Sequence, residues 1–186
     1  MTDFIENIRN RNIELKIRPE FLDHLRISEH KGWWVNTKGD HYALLCWVSG
    51  QFNNTTIYDV GTFRGMSALA LAANPTNKVV TYDIHPWPDD RILNPPSNIE
   101  FIVGNFFEDK DILKSPLIMF DVDPHNGIIE REFLNWLDAN DYKGIVFFDD
   151  IHLNPAMQSI WDSISKEKYD LTDLGHYSGS GIAIYH

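Results

Sequence analysis

Carboxylates and histidines are concentrated in two short segments of the sequence. Residues 120–125 read Phe-Asp-Val-Asp-Pro-His, and residues 147–152 read Phe-Phe-Asp-Asp-Ile-His. Each segment follows an apolar run typical of a buried strand. If these strands are parallel neighbours, their aspartates meet at one edge of the sheet: Asp121, Asp123, Asp149 and Asp150. Carboxylates in one cleft raise each other's pKa, and a divalent cation relieves that repulsion. Oxygen ligands favour Mg²⁺ or Ca²⁺, with Mn²⁺ also suitable, over zinc.

A second informative segment covers residues 56–72, TIYDVGTFRGMSALALA. It reads as a short strand, a turn with Gly61 and Gly65, and an alanine- and leucine-rich helix. Glycines let the backbone approach a ligand, and N–H groups of a first helical turn point at its negative end. Asp59, near the end of the strand, can meet a cationic group or a hydroxyl. This segment predicts a site for a nucleotide-like ligand.

The elements that position these residues alternate along the chain. Short apolar strands are predicted at 56–60, 78–83, 99–103, 117–121 and 144–148, with helices near 64–73, 106–113, 127–139 and 155–166. The last helix begins well, with Asn154 as N-cap and Pro155 at its first position. Such alternation implies right-handed crossovers and a mainly parallel sheet covered on both faces.

Both ends of the chain differ from this pattern. Strand-like runs at 169–174 and 182–186 are joined by a link too short for a crossover helix, so they predict an antiparallel hairpin at one edge. The first 54 residues look helical, with an amphipathic opening through Ile13, a piece after Pro19 and a helix over about 40–50. We therefore predict an α/β, Rossmann-like core over 55–186 with a seven-stranded sheet and an N-terminal helical cap, together one domain.

The spacing of the glycine turn separates two kinds of cofactor. A dinucleotide fingerprint would read Gly-x-Gly-x-x-Gly, whereas this turn reads Asp59-x-Gly61-x-x-x-Gly65, which disfavours NAD. The segment instead resembles motif I of class I S-adenosylmethionine-dependent methyltransferases. The second strand ends in Asp83, where an acid can accept both ribose hydroxyls. The third strand is followed by Gly104-Asn105-Phe106.

This resemblance implies a cofactor site for S-adenosylmethionine. Family members often have Gly-Asp after the third strand; Asn105 departs from that but can still hydrogen-bond adenine, and Phe106 or Phe107 can pack on the ring. The cofactor-binding residues implied by the resemblance are Asp59, Gly61, Thr62, Gly65, Ser67, Asp83, Asn105, Phe106 and Asp121.

The acidic segments resemble those of metal-dependent sugar O-methyltransferases. The resemblance implies that Mg²⁺ (or Mn²⁺ or Ca²⁺) is held by Asp121, Asp149 and Asp150, binds vicinal sugar hydroxyls and lowers the pKa of the one attacked. Either Asp123 or His125 would be the general base. The Asp-Val-Asp-Pro-His sequence departs from the commoner Asp-Gly-Asp form, so both catalytic assignments stay open.

Three alternatives remain at this stage. Catechol-type O-methyltransferases also use a metal and two acids, but an Asn normally follows the second acid, where this chain has Asp150. A metal-dependent hydrolase would be active without S-adenosylmethionine. A non-catalytic binding protein would bind the cofactor without turnover.

Histidines and tryptophans add weaker signals. His176 lies in the glycine-rich hairpin loop expected to rim the site, and His152 follows the second acidic segment; both types of position are often simply exposed. Trp33, Trp34 and Trp87 fall outside the predicted elements and could form an aromatic surface for a sugar. For Trp33 and Trp34 the alternative is that the N-terminal helices dock through them.

Composition limits the partners and the compartment. The 186 residues carry a net charge of −11, which argues against binding to a nucleic-acid backbone. No apolar run is long enough to span a membrane and the first residues do not resemble a signal peptide. The single cysteine, Cys46, lies in an apolar helix and fits a buried thiol in a reducing cytoplasm. We expect a small-molecule or glycan acceptor, no nucleic-acid or membrane partner, and a homodimer as in related small methyltransferases.

Overall fold

The computed structural model describes residues 2–15, 41–86 and 94–186. Its strands are β1 (Thr56–Val60), β2 (Lys78–Asp83), β3 (Ile99–Val103), β4 (Leu117–Phe120), β5 (Gly144–Asp149), β6 (Glu167–Asp170) and β7 (Ser180–Tyr185). Its α-helices are α1 (Thr2–Arg9), α2 (His41–Ser49), α3 (Met66–Leu71), α4 (Ile128–Ala139) and α5 (Pro155–Ser163). The strands form one seven-stranded sheet in the order β3-β2-β1-β4-β5-β7-β6.

Strand direction brings the loops that matter to one side of the sheet. The first five strands are mutually parallel, and β7 runs antiparallel to both of its neighbours, β5 and β6. The hairpin strand β6 is therefore parallel to the first five, and the loop that follows it lies at their carboxyl edge. The predicted Rossmann-like sheet and its terminal antiparallel hairpin are both confirmed.

Alternation along the strands divides the core between the two faces of the sheet. In β4, Leu117 and Met119 belong to one apolar cluster, whereas Ile118 and Phe120 belong to the other. The first cluster includes side chains of α1, α2 and α3, and the buried Cys46 is one of them. The second is rich in aromatic rings and includes side chains of α4 and α5. Both faces of the sheet are thus covered, as a parallel sheet requires.

The helix predictions differ from the structure in helix type at one place and in the first residue at another. The helix predicted over 106–113 is two 3₁₀-helices, Phe106–Glu108 and Lys110–Lys114. The side chains of Asn105 and Asp109 accept backbone N–H groups two residues further on, and this local bonding competes with a continuous α-helix. The helix predicted to start at 64 starts at Met66, because Gly65 is left-handed with φ 73°.

The N-terminal part agrees only in outline. Helix α1 ends at Arg9 rather than near Ile13, and Arg11 is left-handed with φ 52°. Helix α2 matches the helix predicted over about 40–50. The predicted piece after Pro19 and the tryptophans Trp33, Trp34 and Trp87 lie outside the described residues. Of the helices in the described ranges, none has the length and apolar character needed to cross a membrane.

Candidate active site

The carboxyl ends of β1, β4 and β5 lie side by side at the centre of the sheet. Val60 pairs with Phe120, and Phe120 pairs with Phe148. The residues that follow these partners are Gly61, Asp121 and Asp149. The register therefore brings the glycine turn and both acidic segments together, as the sequence predicts.

The glycine turn fits closely against the loop after β4. A Cβ atom on Gly61 would lie 1.5 Å from the backbone oxygen of Asp121, and Gly61 has φ 102°. Only glycine can occupy this position without a backbone shift. The N–H groups of Gly61 and Thr62 donate to the carbonyl of Tyr82 at 2.9 and 3.1 Å. These two donors are thus used to join the turn to β2 and are not left open for a ligand.

Asp59 is fully buried beneath this turn. Ile57 belongs to the core cluster on the face of α3, and Asp59, two residues later, faces the same way. Its Oδ2 accepts hydrogen bonds from Thr81 Oγ1 at 2.7 Å and Ser67 Oγ at 3.2 Å. Its Oδ1 has no hydrogen-bond partner within the described ranges. Burial raises the pKa of Asp59 to about 7, against the lowering effect of these two hydroxyls.

The neighbouring hydroxyls form a chain that reaches the turn. Thr62 Oγ1 lies 2.6 Å from Thr81 Oγ1, which in turn donates to Asp59. Thr62 and Ser67, both predicted to bind the cofactor, therefore contact the Asp59 network from two sides. An unpaired buried carboxylate oxygen in this network suits a cationic group such as an α-amino group.

Asp83 holds the turn from the opposite side. Its Oδ2 accepts the Phe63 N–H at 3.0 Å, and its Oδ1 accepts the His85 N–H at 3.0 Å. Each carboxylate oxygen keeps capacity for a further hydrogen bond. The ribose-binding residue predicted from the sequence is thus fixed beside the glycine turn, with its side chain partly exposed.

Asn105 and Phe106, both predicted to contact adenine, differ in exposure: Asn105 is exposed and Phe106 is buried. Asn105 Oδ1 caps the first 3₁₀-helix by accepting the Phe107 N–H at 3.1 Å, which leaves its amide group as a donor. Phe106 is buried in the aromatic cluster, 5.9 Å from the rings of both Phe120 and Phe133. Phe107 is the more accessible of the two adjacent rings.

His125 bridges the two acidic segments. Its Nε2 lies 3.0 Å from Asp121 Oδ1 and 3.3 Å from Asp150 Oδ2, and its Nδ1 lies 3.2 Å from Asp123 Oδ1. His125 and Asp150 both have left-handed backbones, with φ 53° and 57°. We call Asp121, His125 and Asp150 the Asp121 cluster; each offers a ligand atom within 4.8 Å of the others. Asp123 contacts His125 from the solvent side, and its side chain is 88% exposed.

The electrostatics of the Asp121 cluster reflect crowded negative charge. The hydrogen bond with Asp121 raises the pKa of His125. Burial raises the pKa of Asp121 and of Asp150, and the carboxylate of Asp149 raises both further. A bound cation would relieve these costs, so the cluster fits an oxygen-ligated divalent ion.

Asp149 faces a different set of partners from its neighbour Asp150. It follows Phe147 on the face of the sheet that packs against α2, whereas Asp150 lies past the strand end and faces His125. Asp149 Oδ1 lies 2.7 Å from His176 Nε2, and Oδ2 lies 3.6 Å from His41 Nε2. We call His41, Asp149 and His176 the Asp149 cluster. The three predicted metal ligands are therefore divided between two clusters.

His41 is a site residue that sequence reasoning missed. It is buried at the start of α2, more than a hundred positions from Asp149, and nothing in the sequence links the two. Burial lowers the pKa of His41 to about 4, so the imidazole is neutral at pH 7. Although burial alone would raise the pKa of Asp149, the hydrogen bond and charge of His176 hold it low, so its carboxylate is ionised.

His152, the weaker histidine candidate, lies outside both clusters. Its Nε2 is 2.7 Å from Asp170 Oδ2, and its Nδ1 is 2.5 Å from Gln158 Oε1. It thus links α5 to the end of β6, which is a structural role.

Several solved structures that share this fold are methyltransferases. A Podospora anserina methyltransferase with S-adenosylhomocysteine bound has 12% identity and a TM-score of 0.61, covering 100% of this chain and 95% of its own. TomG, an O-methyltransferase from Streptomyces achromogenes involved in tomaymycin synthesis and solved with S-adenosylmethionine, has 16% identity and a TM-score of 0.56, covering 96% and 95%. An O-methyltransferase from Bacillus cereus with S-adenosylhomocysteine has 14% identity and a TM-score of 0.54, covering 92% and 93%.

No protein-family model matches the sequence, and no curated protein matches it. The similarity thus lies in the arrangement of elements, over nearly the whole chain. The chain has the Rossmann-like fold of S-adenosylmethionine-dependent methyltransferases.

Proposed function

We propose that this protein is an S-adenosylmethionine-dependent O-methyltransferase that methylates a sugar hydroxyl with the help of a divalent cation. The observation that carries the proposal is the adjacency of two groups at one sheet edge. The glycine turn with Asp59 and Asp83 lies next to the Asp121 cluster, because Gly61 packs on the backbone of Asp121.

The cofactor half of the site supplies complementary groups. S-adenosylmethionine, when bound, provides a methyl group on a positively charged sulfur. Asp83 would accept hydrogen bonds from the ribose hydroxyls, Asn105 would donate to adenine, and Phe107 would pack on the ring. The unpartnered Oδ1 of Asp59 suits the amino end of the ligand.

The acceptor half would hold the cation and the base. Asp121 and Asp150 offer oxygen ligands, and the charge of Asp149 strengthens the attraction for a cation from beside them. Bound Mg²⁺ would supply positive charge that lowers the pKa of a coordinated hydroxyl. Of the two candidate bases we favour His125, because it is held between Asp121 and Asp150 while the Asp123 side chain is largely exposed. The hydrogen bond with Asp121 raises the pKa of His125 to about 9, and a cation bound by these carboxylates would offset their charge so that the imidazole could accept a proton.

Cofactor binding is the first test. Calorimetric titration with S-adenosylhomocysteine, in the presence of Mg²⁺ and again with EDTA, should show binding in both conditions, because the glycine turn and Asp83 are separate from the metal ligands. A protein that binds no S-adenosylhomocysteine in either buffer would rule out the methyltransferase proposal.

The acceptor class is the second test. Methyl transfer should be screened on rhamnosides, fucosides and hexosides, with catechols in parallel, each with Mg²⁺ and with EDTA. We expect Mg²⁺-dependent transfer to a sugar. Transfer only to catechols would overturn the sugar assignment, and full activity in EDTA would overturn the metal assignment.

A further inference from the structure

The Asp149 cluster joins three separate parts of the chain. His41 comes from α2, Asp149 from the end of β5, and His176 from the loop between β6 and β7. Their ligand atoms all lie within 4.8 Å of one another. The side chains of His41, Asp149 and His176 are 5%, 8% and 18% exposed, so the cluster is largely shielded from water.

The imidazoles are oriented like metal ligands. Each directs Nε2 towards a different oxygen of Asp149. The other ring nitrogen of each is occupied by a serine hydroxyl: His41 Nδ1 lies 3.2 Å from Ser180 Oγ, and His176 Nδ1 lies 2.5 Å from Ser178 Oγ. Hydrogen bonds to the second nitrogen are the usual means of orienting a ligating histidine.

The distances match a small coordination sphere. Bonds of about 2.0–2.1 Å to a tetrahedral ion place neighbouring ligand atoms roughly 3.3 Å apart. His176 Nε2 lies 2.7 Å from Asp149 Oδ1 and His41 Nε2 lies 3.6 Å from Oδ2, and one ligand atom from each residue lies within 4.8 Å of the others. Small side-chain adjustments would therefore admit an ion among the three groups.

The donor set selects a different ion from the Asp121 cluster. Two imidazoles and a carboxylate suit Zn²⁺ and related ions such as Co²⁺, whereas the Asp121 cluster has two carboxylates and one imidazole, and its carboxylate oxygens suit Mg²⁺. We propose that His41, Asp149 and His176 form a second metal site, which takes a zinc-like divalent cation. The ion would attach α2 to the carboxyl edge of the sheet. This inference does not depend on the proposed methyl transfer.

Metal titration tests the site directly. The full chain, stripped of metal with EDTA and dialysed, is titrated with Co²⁺ while its visible absorption is recorded, and with Zn²⁺ by calorimetry, both in excess Mg²⁺. We expect one equivalent of Zn²⁺ and a visible Co²⁺ spectrum typical of tetrahedral nitrogen ligation. His176→Gln should weaken Zn²⁺ binding by more than about 100-fold, beyond the roughly 10- to 100-fold effect of losing an outer hydrogen bond.

Matched variants distinguish this site from its neighbours. His152→Gln removes a histidine that has an acidic partner but belongs to neither cluster, and should leave Zn²⁺ affinity unchanged. Asp121→Asn should weaken it far less than His176→Gln does, because Asp121 acts on this cluster only through its charge. Because His41 is buried, His41→Gln is interpreted only if its circular dichroism spectrum is native. If His41→Gln unfolds, His176→Gln, which changes a loop residue, provides the test.

Three outcomes would overturn the proposal: no Zn²⁺ binding to the wild-type protein, equal affinity in His176→Gln, or a larger loss of affinity in Asp121→Asn than in His176→Gln. Titration of the same samples with S-adenosylhomocysteine keeps the two proposals apart. Zinc binding without cofactor binding would refute the methyltransferase alone, and the reverse result would refute the zinc site alone.

Discussion

On the glycine-turn side of the carboxyl edge, carboxylates accept hydrogen bonds from uncharged groups. Asp59 is bonded by Thr81 and Ser67, and Asp83 by two backbone N–H groups. On the β4–β5 side, Asp121, Asp149 and Asp150 all face imidazoles. Both sides bury negative charge in the same sheet edge, but by different means.

The difference indicates what each side can bind. Hydroxyl and N–H donors fix the carboxylates of the first side in place, so that side is shaped in advance for a neutral or singly charged organic ligand. Imidazoles beside carboxylates can be exchanged for a cation, because both groups are metal ligands. Four substitutions would test this division between a side that binds an organic ligand and a side that binds a cation.

Replacing His125, the proposed base on the β4–β5 side, should slow methyl transfer without weakening cofactor binding. His125→Ala should lower the rate of methyl transfer by roughly 10²- to 10⁴-fold, the usual contribution of a general base. Asp123→Asn should change it by less than about threefold, because the Asp123 side chain is 88% exposed and asparagine keeps an oxygen that can accept a hydrogen bond from His125 Nδ1. Rates are measured at saturating acceptor, with S-adenosylhomocysteine affinity as the control. A larger loss in Asp123→Asn would reverse the assignment of the base.

The close packing of the glycine turn against the loop after β4 depends on Gly61. Gly61→Ala should lower the free energy of unfolding by roughly 3–5 kcal/mol, because its Cβ would collide with the backbone of the β4 loop and no neighbouring side chain can move to relieve this. Gly104→Ala is the matched control, since a Cβ there meets no atom within 4 Å. Urea unfolding of both variants provides the comparison. Equal stability of the two would show that the close approach at Gly61 is not rigid.

The glycine-turn side should respond to loss of charge at Asp83. Asp83→Asn should weaken S-adenosylhomocysteine binding by roughly 10- to 100-fold, the usual value for hydrogen bonds to a charged group. Asp111→Asn removes an exposed carboxylate paired with Lys114 and should leave affinity unchanged. Calorimetry measures both. If Asp83→Asn binds as tightly as the wild type, the ribose contact is assigned to the wrong residue.

Substitution of Asn154 should have the smallest effect of the four. Asn154 both caps α5 and bonds to the loop that carries His125. Its Oδ1 caps α5 by accepting the Ala156 and Met157 N–H groups, while its Nδ2 donates to the His125 carbonyl at 2.9 Å. Asn154→Ala should cost about 1 kcal/mol of stability. Asn154→Ser keeps a capping oxygen and should restore most of that stability, yet neither variant holds the His125 loop. A slower methyl transfer in both would show that the loop needs this bond; normal rates in both would show that it does not.

Local patterns were sufficient to predict most of the fold. Apolar strands, each followed by an acid or a glycine, predicted the sheet, and the short link at 175–181 predicted the hairpin. The helix after Asn105 was predicted less well. Asn105 and Asp109 bond to their own backbone there, and composition does not reveal whether such residues start, interrupt or end a helix.

The candidate site was predicted in part. The residue types at the ends of β1, β2, β4 and β5 indicated which carboxylates meet, because parallel strands share a carboxyl edge. Phe106 or Phe107 was predicted to pack on adenine, and the sequence does not distinguish these adjacent residues; in the structure the ring of Phe106 lies in the aromatic core.

The sequence by itself determined that carboxylates and a glycine turn lie at one edge of the sheet, since alternating strands and helices make the strands parallel and place their carboxyl ends together. Only the tertiary structure decided how they are divided. Alternation about the strand end separates Asp149 from Asp150, and packing of α2 on the sheet brings His41 to the first of them. Such a contact between distant segments has no trace in local spacing, because it arises from which faces pack together.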